Sequence, residues 1–230
     1  MRYRLFLIGL IFLFSHCTND EIGPDEDRVG FSFFPVEVGT WRTYDVNKIS
    51  YRIIGDTLIE NYQLREEIVD AFLNTEGDST YVLHRSILDT ISGEYELDSV
   101  WAVRRTPNQA IIVENNTPFV KMGFPIAEGL TWDGNVLNTL DEEVYTLDEL
   151  GQELVFENMV LDNTLRVVLS DVQDTIIRFD QRFDYYALNV GLVRKRNLIL
   201  NYCSTIDCLG EGIVESGLEL RQELTDYGPK

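Results

Sequence analysis

The chain has 230 residues, of which 44% are hydrophobic, and a formal net charge of −20 at pH 7. This length suits one domain, because all-β sandwiches and barrels often run to about 200–250 residues undivided. The acidic excess excludes nucleic acid as a partner, since binding to a phosphate backbone needs clustered Lys and Arg.

The N-terminus carries a targeting segment. Arg2 and Arg4 precede an uninterrupted apolar run from Leu5 to Phe14, which is shorter than the roughly 20 residues that a membrane-spanning helix needs. The run is typical of a signal peptide, but no small-x-small cleavage site follows it. Instead "LFSHC", which ends at Cys17, resembles the lipobox at which bacterial lipoproteins are cleaved and acylated.

This resemblance implies that residues 1–16 are a signal peptide and that Cys17 becomes the lipidated first residue of the mature chain, carrying palmitate among its acyl chains. Several acyl chains hold a protein stably at a membrane, whereas a single chain does so only marginally. Removing the two arginines of the signal takes the formal charge from −20 to −22. Ordinary secretion and a retained signal anchor are the alternatives.

The stretch from residue 18 to residue 30, "TNDEIGPDEDRVG", is acidic and almost free of apolar side chains. Such a composition cannot bury a core, so residues 17–30 are predicted to be the lipidated cysteine and a solvated tether. The stretch is similar to the surface-export signal of Bacteroidota lipoproteins, and a plain hydrophilic linker is the alternative. Residues 31–230 are predicted to form one β-rich domain.

Two cysteines remain once Cys17 is assigned to lipid. Cys203 and Cys208 are predicted to form a disulfide, because the periplasm and the cell surface are oxidising. A metal site is the alternative, but this spacing without a further Cys or a nearby His is poor for zinc. We therefore predict no metal at this pair.

The domain alternates segments rich in β-branched and aromatic residues with clusters of turn residues. The first half contains seven predicted strands: Trp41–Ile49, Tyr51–Gly55, Leu64–Leu73, Tyr81–Leu88, Ser99–Arg105, Ala110–Glu114 and Phe119–Met122. The second half contains five more: Leu154–Leu161, Thr164–Asp171, Thr175–Gln181, Gly191–Tyr202 and Gly217–Tyr227. The stretch Thr139–Gly151 is predicted to be a short helix or an acidic loop.

The last strand shows the clearest alternation, with Leu218, Leu220 and Leu224 on one face and charged or polar residues on the other. A period of two indicates a half-buried antiparallel strand. We expect an all-β, mainly antiparallel domain of about 10–12 strands, arranged as a single curved sheet, a barrel or a sandwich.

Two segments, "FPVEVGTW" and "FPIAEGLTW", share one pattern of a proline, a glycine and a tryptophan. The proline cannot pair within a sheet, the glycine permits a turn and the tryptophan anchors the strand that follows. The first segment alone resembles the Gly-x-Trp signature of lipocalins, which have fewer strands and end in a helix. We predict structural roles in a repeated element, as from a duplicated half, for six residues: Pro35, Gly39, Trp41, Pro125, Gly129 and Trp132.

Three stretches together, "FFPVEVGTWRTYDV" after the tether, "ALNVGLVRKR" at 187–196 and "SGLELRQELTDYG" at 216–228, resemble a family of uncharacterised Bacteroidota outer-membrane lipoproteins. Asn189 stands where the family pattern has its first glycine. The resemblance implies a β-rich fold and a lipid-anchored location at the outer membrane, on its periplasmic or cell-surface face.

Catalytic and cofactor motifs are missing from the sequence. The mature chain has one histidine, His84, inside a predicted strand, and a Gly-x-Ser-x-Gly elbow does not occur. Walker, EF-hand and His-Glu-x-x-His motifs do not occur either. We therefore predict a non-enzymatic protein with no catalytic residues, no cofactor and no metal site.

Five triplets of the form Asp-[Ser/Thr]-[aliphatic or Thr] are similar to the O-glycosylation signal of exported Bacteroidota proteins. The candidate acceptors are Thr57, Ser79, Thr90, Ser99 and Thr175. The alternative is purely structural, because Asp-Thr before an aliphatic residue is good chemistry for a turn that leads into a strand.

For function, the sequence favours an envelope lipoprotein that serves as a non-enzymatic binding or assembly module. Its expected partners are the membrane, through the lipid, and envelope proteins or a hydrophobic small molecule. A lipocalin-like or half-barrel carrier of a hydrophobic ligand is one alternative, which an aromatic-lined cavity favours and a filled interior removes. A carboxylate-based hydrolase is the other, and it requires two converging carboxylates of which one has a raised pKa.

Overall fold

The structure is a computed structural model that describes residues 26–53, 56–75, 77–156 and 159–229. A short helix, α1 (Glu26–Val29), and a 3-10 turn at Phe31–Phe33 precede the strands. The strands are β1 (Trp41–Tyr51), β2 (Leu58–Leu73), β3 (Ser79–Leu88), β4 (Tyr95–Arg105), β5 (Gln109–Glu114), β6 (Thr117–Gly123), β7 (Thr131–Asp133), β8 (Val144–Phe156), β9 (Met159–Gln173), β10 (Arg178–Ala187), β11 (Gly191–Tyr202) and β12 (Val214–Gly228). The predicted signal peptide, Cys17 and most of the predicted tether lie outside the described residues.

All twelve strands belong to one sheet in the order β6-β5-β4-β3-β2-β1-β12-β11-β10-β9-β8-β7. Its strand pairs are antiparallel, and β12 pairs with β1 to join the two halves. The two edge strands also meet: the amide of Val120 donates to the carbonyl of Gly134 at 2.9 Å, and Nε1 of Trp132 donates to the carbonyl of Val120 at 3.0 Å. The predicted all-β fold is confirmed, as a single curved sheet that nearly closes into a barrel.

Some of the predicted element boundaries are wrong. The strand predicted at Tyr51–Gly55 is wrong over its described residues, because Tyr51 is the last residue of β1 and the next two residues belong to no strand, while 54 and 55 lie outside the described residues. The stretch Thr139–Gly151 contains the first part of β8 rather than a helix, and Leu154–Leu161 belongs to two strands, β8 and β9. The pairing of β8 with β9 is interrupted at 148–152, where Glu149 and Gly151 have φ of 52° and 78°. This irregularity hides the alternation that would have indicated a strand.

Phe31, Phe33, Phe34 and Val36, which we call the aromatic plug, are buried before β1 begins. The ring of Phe31 meets that of Phe124 edge-on, with centroids 4.8 Å apart. The plug therefore packs against the segment that follows β6, and Phe34 also lies 6.1 Å from the ring of Tyr186 in β10. Burying each phenylalanine contributes roughly 1.5–3 kcal/mol, so the chain between tether and barrel is part of the core.

The two Pro-Gly-Trp segments make the same pair of backbone hydrogen bonds. The amide of Gly39 donates to the carbonyl of Ile68 at 2.7 Å, and the amide of Ile68 donates back to the carbonyl of Thr40 at 2.9 Å. In the second segment the amide of Gly129 donates to the carbonyl of Leu147, and the amide of Leu147 donates back to the carbonyl of Leu130, both at 2.9 Å. Gly39 and Gly129 both have positive φ, 93° and 77°, which glycine adopts without steric cost.

The tryptophans of the two segments have different neighbours. The guanidinium of Arg65 lies 4.5 Å from the ring of Trp41, which is in the middle of the sheet. Trp132 is on the edge strand β7 and meets Tyr145 edge-on with centroids 6.1 Å apart. The same turn therefore precedes the central strand β1 in the first segment and the edge strand β7 in the second. Pro35 and Pro125 both lie in the loops just before these turns.

Candidate functional site

A cavity of about 50 Å³ lies within the curved sheet, beside the aromatic plug. Phe34 and Pro35 line it from the plug side. Its apolar lining residues, which we call the apolar wall, include Ile68, Leu83, Trp101, Val103, Ile112, Tyr186 and Leu192. Its polar lining residues, which we call the polar wall, are Arg42, Glu66, Arg85, Glu114, Lys121, Asp184, Lys195 and Gln222.

Strand register assembles one side of the polar wall from β1, β2 and β3. Arg42 stands opposite Glu66, and Glu66 stands opposite Arg85 on the next strand. Directly opposed residues have side chains close enough to interact across the strand pair. Nε of Arg85 accordingly forms an ion pair with Oε1 of Glu66 at 3.0 Å.

Strand register also assembles the next part of the polar wall, from β12, β11 and β10. Gln222 stands opposite Lys195, and Lys195 stands opposite Asp184. Nζ of Lys195 lies 3.8 Å from Oδ2 of Asp184. From β5 and β6, Glu114 and Lys121 complete the wall with an ion pair of 2.6 Å.

Arg42 is the one basic residue of the polar wall for which the described residues provide no carboxylate partner. Its Nη1 donates to the carbonyl of Val190 at 3.0 Å. Gly191 makes this approach possible, because a Cβ there would lie 2.4 Å from that same Nη1. The guanidinium is thus hydrogen-bonded to backbone, and no carboxylate of the described residues forms an ion pair with it.

The ionisation of the polar wall follows from its neighbours. Burial lowers the pKa of Lys195, but Asp184, Glu114 and Glu66 outweigh burial and hold that pKa above its ordinary value. Burial raises the pKa of Glu114, but Lys121 and Lys195 outweigh it and bring that pKa below its ordinary value. Both groups are therefore charged at neutral pH.

Apart from Glu114 Oε1, which forms the ion pair with Lys121, four buried polar atoms of cavity-lining residues have no hydrogen-bond partner among the described residues: Arg42 Nε, Trp101 Nε1, Gln222 Nε2 and Asp184 Oδ1. Three of them are donors. Buried polar groups in native proteins are paired in the large majority of cases, so a cluster of three unpaired donors at one cavity indicates a site for a group that accepts hydrogen bonds.

None of the polar-wall residues was predicted from the sequence, although the sequence contains a signal for two of them. Gln222 falls between Leu220 and Leu224 on the alternating face of β12, and it is only 4% exposed. In the same way, Glu66 falls between the buried residues Leu64 and Ile68 of β2. A polar residue at a core position of a regular strand marks a break in the pattern, and such breaks concentrate at functional sites.

A second polar group, the Arg182 cluster, consists of the buried Tyr145 and Asp180 and the part-buried Glu143 and Arg182. Nε of Arg182 donates to Oδ1 of Asp180 at 2.7 Å, and its Nη2 donates to Oε1 of Glu143. The hydroxyl of Tyr145 donates to the other carboxylate oxygen of Glu143 at 3.1 Å. None of the unpartnered buried atoms in the described part of the chain belongs to this cluster.

Cys203 and Cys208 are joined by a disulfide, with 5.8 Å between their Cα atoms. Glu215 lies near both sulfur atoms. Because the bond occupies both sulfurs, neither is a free thiolate for a metal. The pair lies after β11, in the loop that leads to β12.

The candidate glycosylation residues differ in exposure. Thr57, Ser79, Thr90 and Thr175 are exposed, whereas the hydroxyl of Ser99 is buried in β4. Two of the preceding aspartates shape turns: Asp89 accepts from the amide of Ile91 at 2.9 Å, and Asp174 accepts from the amide of Ile176 at 2.7 Å. These contacts match the structural explanation of the triplets and leave modification untested.

His84 lies in β3, opposite Glu67 in β2 and Val100 in β4. It does not line the cavity. Asn189 has φ of 62°. Asn adopts this left-handed conformation more readily than most residues.

The described residues contain no helix with the length and hydrophobicity needed to cross a bilayer.

No family model and no curated protein matches the chain. Two solved structures resemble its fold distantly. One is a candidate lipoprotein from Parabacteroides distasonis, with 9% identity and a TM-score of 0.42 over 85% of this chain and 98% of that one. The other is a candidate exported protein with a YmcC-like fold from Bacteroides fragilis, with 12% identity and a TM-score of 0.42 over 86% and 99%. Likenesses this distant carry no conclusion about activity.

Proposed function

We propose that the chain is a lipid-anchored protein of the bacterial envelope that binds a small molecule inside its barrel-like sheet and catalyses no reaction. The cavity beside the aromatic plug carries this proposal, because its donors Arg42 Nε, Trp101 Nε1 and Gln222 Nε2 are buried without partners. Leaving a buried donor unpaired costs about 1–3 kcal/mol. A bound acceptor removes that cost.

The location rests on the sequence. The apolar run Leu5–Phe14, the lipobox-like "LFSHC" and the acidic stretch that follows support a lipid anchor at Cys17 and export to the outer membrane. The anchored chain would then display the domain on the periplasmic or the outer face.

The cavity favours a small ligand over a large hydrophobic one. Pockets for drug-sized ligands have volumes of roughly 300–1,000 Å³, whereas this cavity measures about 50 Å³. A cavity of this size does not hold a bulky hydrophobic molecule.

The carboxylates of the polar wall give little support to a hydrolase. Glu66, Glu114 and Asp184 each lie beside a basic side chain. The pKa of Glu114 is lowered rather than raised, whereas a carboxyl that donates a proton at neutral pH needs a raised pKa.

The binding function is tested on protein purified from its native host without denaturation. Native mass spectrometry should show a small-molecule adduct that disappears when the protein is unfolded, and extraction should identify the molecule. A native mass equal to that of the lipidated polypeptide, with nothing in the extract, would contradict the binding function.

The anchor is tested by fractionation of cells that express the full chain. Cys17→Ser should move the protein from the membrane fraction to the soluble fraction, while Cys208→Ser should leave it in the membrane fraction. Equal membrane association of both variants would contradict the lipid anchor and leave the cavity proposal standing.

A further inference from the structure

We infer that the ligand of this cavity is a small organic monocarboxylate, whose carboxylate faces Arg42 and Gln222 and whose carbon atoms lie against the apolar wall. The inference rests on the proposed function, since it names the chemical class of the molecule bound there.

Charge points to a monoanion. Four basic residues line the cavity, Arg42, Arg85, Lys121 and Lys195, against three acidic ones, Glu66, Glu114 and Asp184. The surplus is one formal positive charge inside a protein whose overall charge is −20. Within the described residues three of the cations lie beside carboxylates, and Arg42 is the one left over. A ligand with one negative charge balances it.

The unpaired donors indicate an acceptor with more than one oxygen. Gln222 is 4% exposed, and its Nε2 has no partner among the described residues. Nε of Arg42 is equally buried and unpartnered. A planar guanidinium matches the geometry of a carboxylate, and hydrogen bonds between charged groups are the strong ones. The hydrogen-bonding groups of this site are thus already buried and in place.

Size and polarity exclude phosphate and sulfate. One water occupies roughly 10–15 Å³ of such a cavity, so about 50 Å³ holds a handful of non-hydrogen atoms. Phosphate and sulfate would turn oxygens toward Ile68, Leu83 and Val103, which offer no hydrogen bonds. They also carry more than one negative charge near neutral pH, which exceeds the single surplus positive charge of the lining residues. A carboxylate of two to four carbon atoms fits both the volume of the cavity and this charge.

The inference is tested by calorimetric titration of the full-length protein with propionate, with neutral propionamide and with inorganic phosphate. We expect propionate to bind at least tenfold more tightly than propionamide, because the two differ in charge but hardly in shape. Phosphate should bind at least tenfold more weakly than propionate. Equal binding of propionate and propionamide, or tighter binding of phosphate, would overturn the inference.

Variants locate the site. Arg42→Gln should weaken propionate binding at least tenfold. Gln222→Leu should have the same effect, and it replaces Arg42→Gln as the test if that variant does not fold. The matched control is Arg221→Gln, which removes a positive charge from the neighbouring residue, whose side chain is 58% exposed. The control should bind propionate as the unaltered protein does. Equal loss in the control and in the cavity variants would mean that general charge, not this site, binds the anion.

Failure of the inference is distinguishable from failure of the proposed function. A natively purified protein that carries a different small molecule, together with no propionate binding, overturns the monocarboxylate and keeps the binding function. No adduct and no propionate binding overturn both, with water alone satisfying the donors.

Discussion

The polar wall and the Arg182 cluster are both buried or part-buried groups of polar and charged side chains in one sheet, and they differ in how their polar atoms are paired. In the Arg182 cluster, the guanidinium bonds to two carboxylates, Asp180 and Glu143, and the second oxygen of Glu143 accepts from Tyr145. In the polar wall, Arg42, Gln222 and Asp184 each keep a buried atom without a partner in the described chain.

This difference separates two uses of buried charge. A fully paired network fixes side chains and requires nothing from outside the protein. A partly paired one is costly unless a ligand completes it. We therefore assign the Arg182 cluster to structure and the polar wall to binding, and four predictions test that division.

The largest effect on stability is expected at Arg182. Arg182→Met should lower the free energy of unfolding by about 1.5–3 kcal/mol, because the buried carboxylate of Asp180 and the part-buried carboxylate of Glu143 both lose their hydrogen bonds to this guanidinium. Urea unfolding measures the change. Arg178→Gln is the control: Arg178 also pairs with Asp180, but its side chain is 56% exposed, so its loss should cost less than about 1 kcal/mol. Equal effects of the two substitutions would remove the structural role assigned to this cluster.

A smaller effect is expected at Arg42. Arg42→Gln should lower the free energy of unfolding by only about 1 kcal/mol, because the protein itself provides one hydrogen bond, to Val190, and no carboxylate. Urea unfolding without ligand gives the number. A loss as large as that of Arg182→Met would mean that Arg42 is a structural cation.

Gln222→Leu should raise stability slightly, by up to about 1 kcal/mol in the ligand-free protein. The substitution removes an unpartnered buried amide and keeps an apolar body of similar size on the same face as Leu220 and Leu224. Thermal unfolding with and without propionate measures both consequences, and the variant should gain less from propionate than the unaltered protein. A clear destabilisation would show that Gln222 is paired within the protein.

The smallest effect concerns pH. Because the folded-state pKa of Glu114 is depressed, its contribution to stability is present above 4.5, its ordinary pKa, and is lost as the pH falls through the lower folded value. Stability measured across this acid range should fall less steeply in Glu114→Gln than in the unaltered protein. An identical slope would show that Lys121 does not hold this carboxylate in its charged form.

The sequence was informative about the fold and nearly silent about the cavity. Alternation predicts β12 and most other strands, and the repeated Pro-Gly-Trp segments form the same turn at Gly39 and Gly129. The three-residue strand β7 is too short to carry a pattern, and the irregularity at Glu149 conceals β8.

The polar wall depends on register between strands that are far apart in sequence. Arg42 and Glu66 meet only because β1 and β2 pair as they do, and Gln222 meets Lys195 only through the pairing of β11 with β12. On its own strand each of these residues is a single polar side chain, without a neighbouring residue that would indicate a site. A polar residue between apolar ones on the same face of a strand, as in Leu220-x-Gln222-x-Leu224, indicates a buried polar side chain. One such residue does not identify a site.

The side-chain NMR signals of the isotope-labelled protein test the division most directly. On addition of propionate, the Nε–H signal of Arg42 and the amide NH₂ signals of Gln222 should shift in saturable fashion, while the Nε–H signal of Arg182 stays in place. Propionamide should shift none of them at the same concentration. Unmoved signals at Arg42 and Gln222, or equal shifts at Arg182, would contradict the assignment of the polar wall to ligand binding.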